Sequence, residues 1–422
     1  MFVESGLNRR GLLIGLGGAA LASSALARTA APSYPALQAF LDGYVNSKKL
    51  PGGVIAVTRG DQPTEFLSAG TLAFDGGAAA GPDSLYRIYS MTKPITGLAT
   101  LKLIEDGKLR LDQPVAEILP EFKEQRVFVN AETGEARAAA KQMTIRHLLT
   151  HSAGLSYSIS NNPLARLYTK NGIVPGSRSR EAAPDGLEPV RDLETLGQRL
   201  GALPLDFDPG TKWQYSVSFD LLGLVVQRAA GRPFHDYLRT SFFEPLRMRD
   251  TDFIVPREKL NRFSTVVTLA NGQLTATDTP QNSPFARDRD LPSGGGGLVS
   301  SARDYARFTS MLLNEGTLGR VRVVKPETVR TLRSNLLEPG VMFGGRNGFG
   351  AGVSVVLPGG ERPGMEPPGS YGWFGIAGSQ MWVDPSNRTS VILMVQFQPL
   401  NAYPVQQEVK VAAYKDLAAR KA

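Results

Sequence analysis

The sequence predicts an α/β fold of the α+β kind, in which an antiparallel sheet is flanked by helices and built from both ends of the chain. Strand-like residues occur near the N-terminus at 52–59 and near the C-terminus at 389–398, and each run is rich in β-branched side chains. The segment between them has mostly helical spacing and loops. We therefore expect an α/β domain with a mostly helical inserted domain. The expected boundaries are 32–105 plus 290–422 for the first and 106–289 for the second.

Two patterns assign the elements of the N-terminal half. Leu37 and Leu41 lie about one helical turn apart, as do Ile95 and Leu98. The run GGVIAVTR at 52–59 is typical of a strand. The predicted elements are a helix at 34–50, a strand at 52–59, its hairpin partner at 66–74, a helix at 93–109, a short helix and turn at 111–122, and a helix that starts at 144.

The C-terminal half is assigned in the same way. Ser301 is a suitable N-cap for a helix, and Asp304 falls in the first turn, where a carboxylate is favourable. Scattered Gly, Pro and Arg predict a loop over 161–192. The other predicted elements are helices at 219–230, 234–243 and 300–314, strands at 350–357, 380–384 and 389–398, and a closing helix at 405–419.

Residues 1–27 are predicted to be an export signal rather than part of the fold. Arg9 and Arg10 precede an uncharged stretch, and Ala25-Leu26-Ala27 supplies a small-x-small cleavage site. The paired arginines indicate the twin-arginine route. A membrane anchor is the alternative, but an apolar run of about 16 residues with several glycines is short for a span of about 20. We expect cleavage after Ala27, a periplasmic or secreted product, and no stable membrane insertion after cleavage.

Composition excludes several kinds of chemistry. The 422 residues include no cysteine and only three histidines, which excludes disulfides, thiolate metal sites, iron–sulfur clusters and a cysteine nucleophile. The net charge of +8 is modest and spread along the chain, so we expect no nucleic-acid partner. His147 and His151 have a spacing that could place two imidazoles on one helix face, but no third ligand is close in sequence. No metal site is therefore expected.

The single SxxK motif, Ser90-Met91-Thr92-Lys93, is the first candidate for chemistry. If Ser90 opens the helix that follows, Lys93 lies one turn later on the same face. The N-terminus of that helix would supply free N–H groups where an oxyanion forms, and a lysine held neutral could accept the serine proton. The alternative is structural, with Ser90 capping the helix and Lys93 on the surface.

Two later segments could complete such a site. Trp213-Gln214-Tyr215-Ser216 offers a phenol that, beside a lysine, can transfer a proton. The small residues at 372–378 would let the backbone approach a ligand closely. Each segment also has a structural interpretation, as an aromatic edge of a loop and as a glycine-rich turn before a strand.

Together these motifs resemble the SxxK serine hydrolases, a family that includes class C β-lactamases, DD-peptidases and the β-lactamase-like carboxylesterases. SMTK, YSV and WFG occur in the family's order and rough spacing. Three further segments are similar to the family's LLTHTSGL, GGGL-S-D-Y and closing-strand segments. They are TIRHLLTHSAGL at 144–155, SGGGGLVSS at 293–301 followed by Asp304-Tyr305, and QMWVDP at 380–385. The resemblance covers roughly 35–415 and implies a β-lactamase/transpeptidase-like fold.

The resemblance also implies a role for each residue. Ser90 would be the nucleophile and Lys93 its activating partner, while Tyr215 would transfer the proton to and from the leaving group. The backbone N–H groups of Ser90 and Ile376 would form the oxyanion hole. No metal or organic cofactor is implied.

Two departures from the family pattern bear on the substrate. Val217 stands where β-lactamases have an asparagine, and Trp373 stands where they usually have a lysine. An apolar pair at these positions favours neutral, apolar ligands over anionic ones. The predicted substrate contacts are Tyr89, Val217, Trp373 and Gly375.

The function favoured by the sequence is hydrolysis of small carboxylic esters through an acyl-enzyme on Ser90. One alternative is a β-lactamase or D-alanyl-D-alanine carboxypeptidase, which would act on β-lactams or cell-wall peptides. The other is a non-catalytic, penicillin-binding-like sensor. All three bind a small molecule, an ester or β-lactam-like compound, and the sequence leaves the oligomeric state open.

Overall fold

The computed structural model describes residues 33–175, 182, 186–287 and 291–420. Tyr34–Ala422 form one compact unit. The predicted export signal at 1–27 lies outside the described residues, so it stays a prediction. Within the described ranges, no helix is both long enough and apolar enough to cross a membrane.

Helices occur along the whole described chain. Their bounds are α1 Pro35–Asn46, α2 Thr92–Glu105, α3 Ile145–Leu149, α4 Pro163–Lys170, α5 Leu193–Gly201, α6 Ser218–Ala230, α7 Phe234–Leu238, α8 Glu244–Leu246, α9 Ala302–Leu313, α10 Pro326–Leu332 and α11 Val405–Ala419.

Strands are concentrated towards the two ends. Their bounds are β1 Gly52–Arg59, β2 Glu65–Ala73, β3 Gly76–Ala79, β4 Leu85–Arg87, β5 Arg126–Asn130, β6 Glu135–Ala138, β7 Val266–Ala270, β8 Gln273–Asp278, β9 Val299–Ser301, β10 Thr317–Leu318, β11 Val321–Arg322, β12 Gly348–Phe349, β13 Ser354–Val355, β14 Tyr371–Phe374, β15 Gly378–Asp384 and β16 Thr389–Gln398.

The central sheet joins the two ends of the chain, as the sequence predicted. Its order is β12-β13-β14-β15-β16-β1-β2-β3, and successive strands along this path are antiparallel. At the junction, β1 pairs with β16, and Val54 lies opposite Met394. The predicted fold class, an antiparallel sheet flanked by helices, is confirmed.

One face of the sheet is covered by the first and last helices. Leu37 and Leu41 of α1 and Val409 of α11 are buried in one apolar cluster with strand side chains. The Asp416 carboxylate accepts hydrogen bonds from the N–H groups of Ala36 and Leu37, both at 2.9 Å. Because the first N–H groups of a helix have no partner inside it, Asp416 satisfies two of them and fixes α1 to α11.

The middle of the chain contains more strand than the sequence predicted. Besides α3–α8, it contributes the hairpins β5–β6 and β7–β8. Strand β7 pairs in parallel with β16, where Val267 lies opposite Phe397. Helix α4 lies within the predicted loop at 161–192, and the Asn162 side chain caps it by accepting from the Ala165 N–H at 2.8 Å. The division into two domains at the expected boundaries stays a prediction.

A buried ion pair fixes the strand that leads to the SxxK motif. The guanidinium of Arg87, in β4, pairs with the carboxylate of Asp278, in β8, and both side chains are buried. The same guanidinium lies 3.8 Å from the ring centroid of Phe263. Since removal of one partner would leave a buried charge, this pair fixes the position of the chain three residues before Ser90.

Candidate active site

Ser90 lies in a tight turn that leads into the buried helix α2. The turn is a single 3-10 turn, Tyr89–Met91, and α2 begins at Thr92. The helix therefore starts two residues after Ser90, the residue considered as its start from the sequence. Tyr89 has a φ of +42°, a left-handed conformation that is unfavourable for a residue with a side chain. The Tyr305 hydroxyl donates to the Met91 carbonyl at 2.8 Å and holds the turn in place.

Lys93 is fully buried beneath Ser90. Its Nζ donates to Ser90 Oγ at 3.1 Å, to the Tyr215 hydroxyl at 2.6 Å and to the Gly295 carbonyl at 2.6 Å. An ammonium group has three protons, so these three acceptors complete its hydrogen bonding. The spacing of the SxxK motif thus places both side chains on one side of the turn, within hydrogen-bonding distance.

Tyr215 closes the arrangement from a different part of the chain. It precedes α6, and its hydroxyl lies 2.5 Å from Ser90 Oγ. The contacts among Ser90, Lys93 and Tyr215 form a closed triangle, in which a proton of Ser90 can pass to a neighbour without further movement once the Lys93–Tyr215 pair has lost one proton. The structure therefore brings together the three side chains that the sequence singled out.

Two backbone N–H groups are available beside Ser90. Ile376 lies in the turn between β14 and β15, and it is 41% exposed. Among the described residues, the N–H groups of Ser90 and Ile376 have no hydrogen-bond acceptor. A Cβ on Gly375 would lie 2.7 Å from the Ile88 carbonyl, so only glycine lets this turn approach the serine segment so closely. Unpaired N–H groups in this position can stabilise an oxyanion.

Ser90 and Tyr215 of the triangle line a cavity of about 670 Å³. None of the described residues that line it carries a charge. Its apolar lining includes Tyr157, Trp213, Phe343, Trp373, Phe374, Ile159, Ile376 and Leu400. A cavity of this size and lining suits an uncharged organic ligand with a large apolar group.

Comparison with known proteins identifies the family. A family model described as Beta-lactamase matches residues 37–414. The chain belongs to the beta-lactamase family. This member is a serine hydrolase of the SxxK type, so the resemblance and the enzyme class predicted from the sequence are confirmed.

Two curated relatives and one solved structure illustrate the likeness. Esterase EstB of Burkholderia gladioli is 31% identical over 394 residues, which cover 89% of this chain and 93% of EstB. Monacolin J acid methylbutanoyltransferase of Aspergillus terreus is 28% identical over 391 residues, which cover 85% of this chain and 89% of that protein. The structure of EstCE1, described as a hydrolase with promiscuous acyltransferase activity, has a TM-score of 0.73 and 22% identity, and covers 90% of this chain and 98% of EstCE1.

Trp373 forms part of the aromatic lining in this family member. Its ring centroid lies 5.2 Å from that of Phe349 and 5.6 Å from that of Phe343. Trp373 is 5% exposed and lines the cavity, as does Tyr89. The position where the family usually has a lysine is therefore part of an apolar surface.

Val217 and Gly375 do not line the cavity, although the sequence predicted that both contact substrate. Val217 is fully buried at the start of α6, and its N–H donates to the Ser156 carbonyl at 3.0 Å. Gly375 contributes a close backbone approach, and its N–H donates to the Ser379 carbonyl at 2.7 Å. The two positions shape the backbone around the site rather than its surface.

The histidines have packing and capping roles. His151 is fully buried, and its ring centroid lies 4.8 Å from that of Tyr215. Burial and the neighbouring Lys93 hold the pKa of His151 well below its usual value, so its ring is neutral at neutral pH. His147 Nδ1 accepts from the Thr144 N–H at 3.2 Å in a capping box. In the part of the chain that the structure describes, no group of three or more metal-binding side chains occurs.

Asp220 is a buried residue near the site that the sequence reasoning missed. It lies in the first turn of α6, five residues after Tyr215, and it is fully buried. The available signal was a single acidic residue in the otherwise apolar run FDLLGLVV. A carboxylate in such a run is unusual unless it has polar partners.

Proposed function

We propose that this family member hydrolyses carboxylic esters through an acyl-enzyme on Ser90. The observation that carries the proposal is the closed triangle of Ser90, Lys93 and Tyr215, of which Ser90 and Tyr215 line an uncharged cavity. The relationship to EstB supports an ester substrate.

The geometry supports a two-step reaction. The reactive form is the one in which the Lys93–Tyr215 pair holds one proton fewer than an ammonium and a phenol together. Ser90 Oγ then attacks the ester carbonyl carbon while its proton passes to that pair, and the N–H groups of Ser90 and Ile376 stabilise the oxyanion. When the carbon–oxygen bond to the alcohol breaks, Tyr215 returns a proton to the leaving oxygen. Water then attacks the acyl-enzyme in the same manner, which releases the acid and restores Ser90.

The cavity indicates the substrate class. Its size is in the range of ligand pockets, about 300–1,000 Å³, and its described lining is uncharged and largely aromatic. We therefore propose neutral esters with a bulky apolar acyl or alcohol group, which goes beyond the small esters expected from the sequence. An anionic substrate would lose its hydration without gaining a cation in the described lining.

β-Lactam hydrolysis and peptide cleavage are less favoured for the same reason. The carboxylate of a β-lactam or a peptide terminus would lie against the aromatic surface at Trp373, where the family usually has a lysine.

Acyl transfer to an alcohol is a second candidate reaction. It uses the same acyl-enzyme, with an alcohol oxygen instead of water attacking the acyl carbon and the alcohol proton passing to Tyr215. The apolar lining supports it, because such a surface concentrates an apolar alcohol at Ser90. The related transferase of Aspergillus terreus also supports it.

A pair of substrates that differ in charge tests the substrate class. We expect methyl 4-acetoxybenzoate to be hydrolysed with a kcat/KM about 10- to 100-fold higher than 4-acetoxybenzoate, because the second leaves a carboxylate unpaired in the cavity. Trp373→Lys should reduce that ratio by supplying a cation. Phenol release measures both reactions, and added apolar alcohols report transfer as new esters. Equal rates for the two substrates, or turnover of nitrocefin faster than either, would contradict the proposed class.

A further inference from the structure

The glycine run at 294–297 lies between the two helices that carry the site. On the α2 side, the Gly294 carbonyl accepts from Thr96 Oγ1 at 2.8 Å, and the Gly295 carbonyl accepts from Lys93 Nζ at 2.6 Å. On the α6 side, the Gly295 N–H donates to Asp220 Oδ1 at 3.2 Å. A single residue, Gly295, thus connects Asp220 to Lys93 through its N–H and its carbonyl.

Steric contacts explain why this segment is glycine. A Cβ on Gly294 would lie 2.3 Å from the Phe219 carbonyl oxygen, and one on Gly295 would lie 2.5 Å from Asp220 Oδ2. Real side chains do not approach so closely, so the backbone can fit between α2 and α6 only without them. The glycine run, which has no phosphate-loop sequence after it, serves to bring Gly295 between the carboxylate and the lysine.

Asp220 is hydrogen-bonded through one of its two carboxyl oxygens, and Oδ2 has no hydrogen-bond partner among the described residues. Its Oδ1 accepts from the Ser293 hydroxyl as well as from the Gly295 N–H. Burial raises the pKa of Asp220, while Lys93 and these two donors act in the opposite direction. A buried charge is strongly destabilising without a partner of opposite sign, and Lys93 is the buried cation on the other side of Gly295.

We propose that Asp220 is a positioning residue for Lys93, a role that rests on the proposed function. Its carboxylate accepts from the Gly295 N–H and so holds this residue where its carbonyl accepts from Lys93 Nζ. It also supplies the buried negative charge that balances the ammonium form of Lys93. We therefore expect the pH profile of Ser90 reactivity to change when Asp220 is replaced.

The other titratable groups around the pair are His151, Tyr157 and Tyr215. Burial and Lys93 lower the pKa of His151, so it carries no charge at neutral pH. Burial raises the pKa of Tyr157, and Asp220 and Tyr215 raise it further, so it is also uncharged. Tyr215 bonds directly to Lys93. Among the described groups that face Lys93, Asp220 is therefore the one carboxyl group, and Lys93 acts to lower its pKa.

Two substitutions of Asp220 separate its hydrogen bonds, which position Gly295, from its negative charge. Asp220→Asn keeps an acceptor for Ser293 and Gly295 but removes the charge, whereas Asp220→Ala removes both. The readout is the rate at which a fluorophosphonate labels Ser90, followed by intact mass from acid to neutral pH. For Asp220→Asn we expect a labelling rate at neutral pH within about threefold of the wild type. We also expect the acidic limb, which is the fall of the labelling rate towards low pH, to move about one pH unit lower. For Asp220→Ala the neutral-pH rate should fall about tenfold or more.

Thr96→Val is the matched control, because it removes a side-chain contact to Gly294, in the same glycine run, without changing a charge. It should lower the melting temperature and leave the acidic limb in place. If the acidic limb of the labelling-rate profile did not move in Asp220→Asn, the proposal would be overturned. If neither Asp220 variant folds, Ser293→Ala decides: a labelling rate about threefold lower supports the proposal, and an unchanged rate overturns it. Failure of the wild type to be labelled at Ser90 would instead refute the proposed function.

Discussion

Ser90→Ala is expected to lower the kcat for ester hydrolysis by about 10⁴-fold or more. Ser90 Oγ is the nucleophile of the proposed mechanism, since it lies at the cavity beside the unpaired N–H groups of Ser90 and Ile376, whereas Lys93 is fully buried. Without it, the oxyanion site and the cavity can only bind the substrate. Alanine fits without strain because it removes a single oxygen.

The measurement is phenol release from methyl 4-acetoxybenzoate, together with the melting temperature of each protein. Ser310→Ala is a matched control, because Ser310 is a buried serine in α9 whose hydroxyl lies 3.4 Å from Thr58 Oγ1 and bonds no residue of the triangle. The control should keep its activity. Activity of Ser90→Ala within about tenfold of the wild type would refute the assignment of the nucleophile.

Tyr215→Phe is expected to lower kcat by about 10²- to 10³-fold with little change in KM. The substitution removes the hydroxyl that lies 2.5 Å from Ser90 Oγ and 2.6 Å from Lys93 Nζ. The phenyl ring remains, and with it the packing against His151 and Tyr157, whose ring centroids lie 4.8 and 5.6 Å away. Substrate binding is thus retained while proton transfer is lost.

Tyr168→Phe provides the comparison for this variant. Tyr168 is a fully buried tyrosine, whereas Tyr215 is half-buried, and the Tyr168 hydroxyl accepts from the Ser156 N–H at 3.4 Å and contacts neither Ser90 nor Lys93. Its kcat should stay close to that of the wild type. If Tyr215→Phe showed a raised KM with an unchanged kcat, Tyr215 would be a binding residue and the proton path would run through Lys93 alone.

The part of the site that sequence could predict is the part set by short spacing or by motif order. Ser90 and Lys93 are three residues apart, and one turn of backbone places them together. Tyr215 lies 125 residues from Ser90, so only the order of motifs pointed to it. The contacts of Gly295 and Asp220 could not be predicted, because spacing does not say which carbonyl a buried lysine meets.

Val217 shows the limit of reasoning by position in a motif. The residue follows Tyr215-Ser216, where a related enzyme would present a side chain to its substrate. Here the backbone turns into α6 at this point, and Val217 is fully buried. Side-chain direction at the residue just before a helix depends on tertiary packing, which the local sequence does not specify.

For the fold, as for the site, the sequence predicted some elements and missed others, and the long elements were predicted better than the short ones. The bounds of β16 and α11 match the prediction, because both are long. Strand β16 contains a continuous apolar run, and the buried residues Val405, Val409, Ala413 and Leu417 of α11 recur every four residues. The hairpin strands β5 and β8 were missed, since most of their side chains are exposed and give no alternating pattern. Helix α4 was missed although Asn162-Pro163 is a recognisable start, because the surrounding glycines, prolines and arginines indicated a loop.

The most direct measurement is the location of the acyl group after a brief reaction with a slowly released ester. The wild type is mixed with the ester, quenched in acid, and analysed by intact mass and peptide mapping. The proposed mechanism requires one acyl group per chain, on the peptide that contains Ser90, and its disappearance as the free acid forms. Turnover without any such adduct, or an adduct on another residue that forms and decays at the rate of turnover, would contradict it.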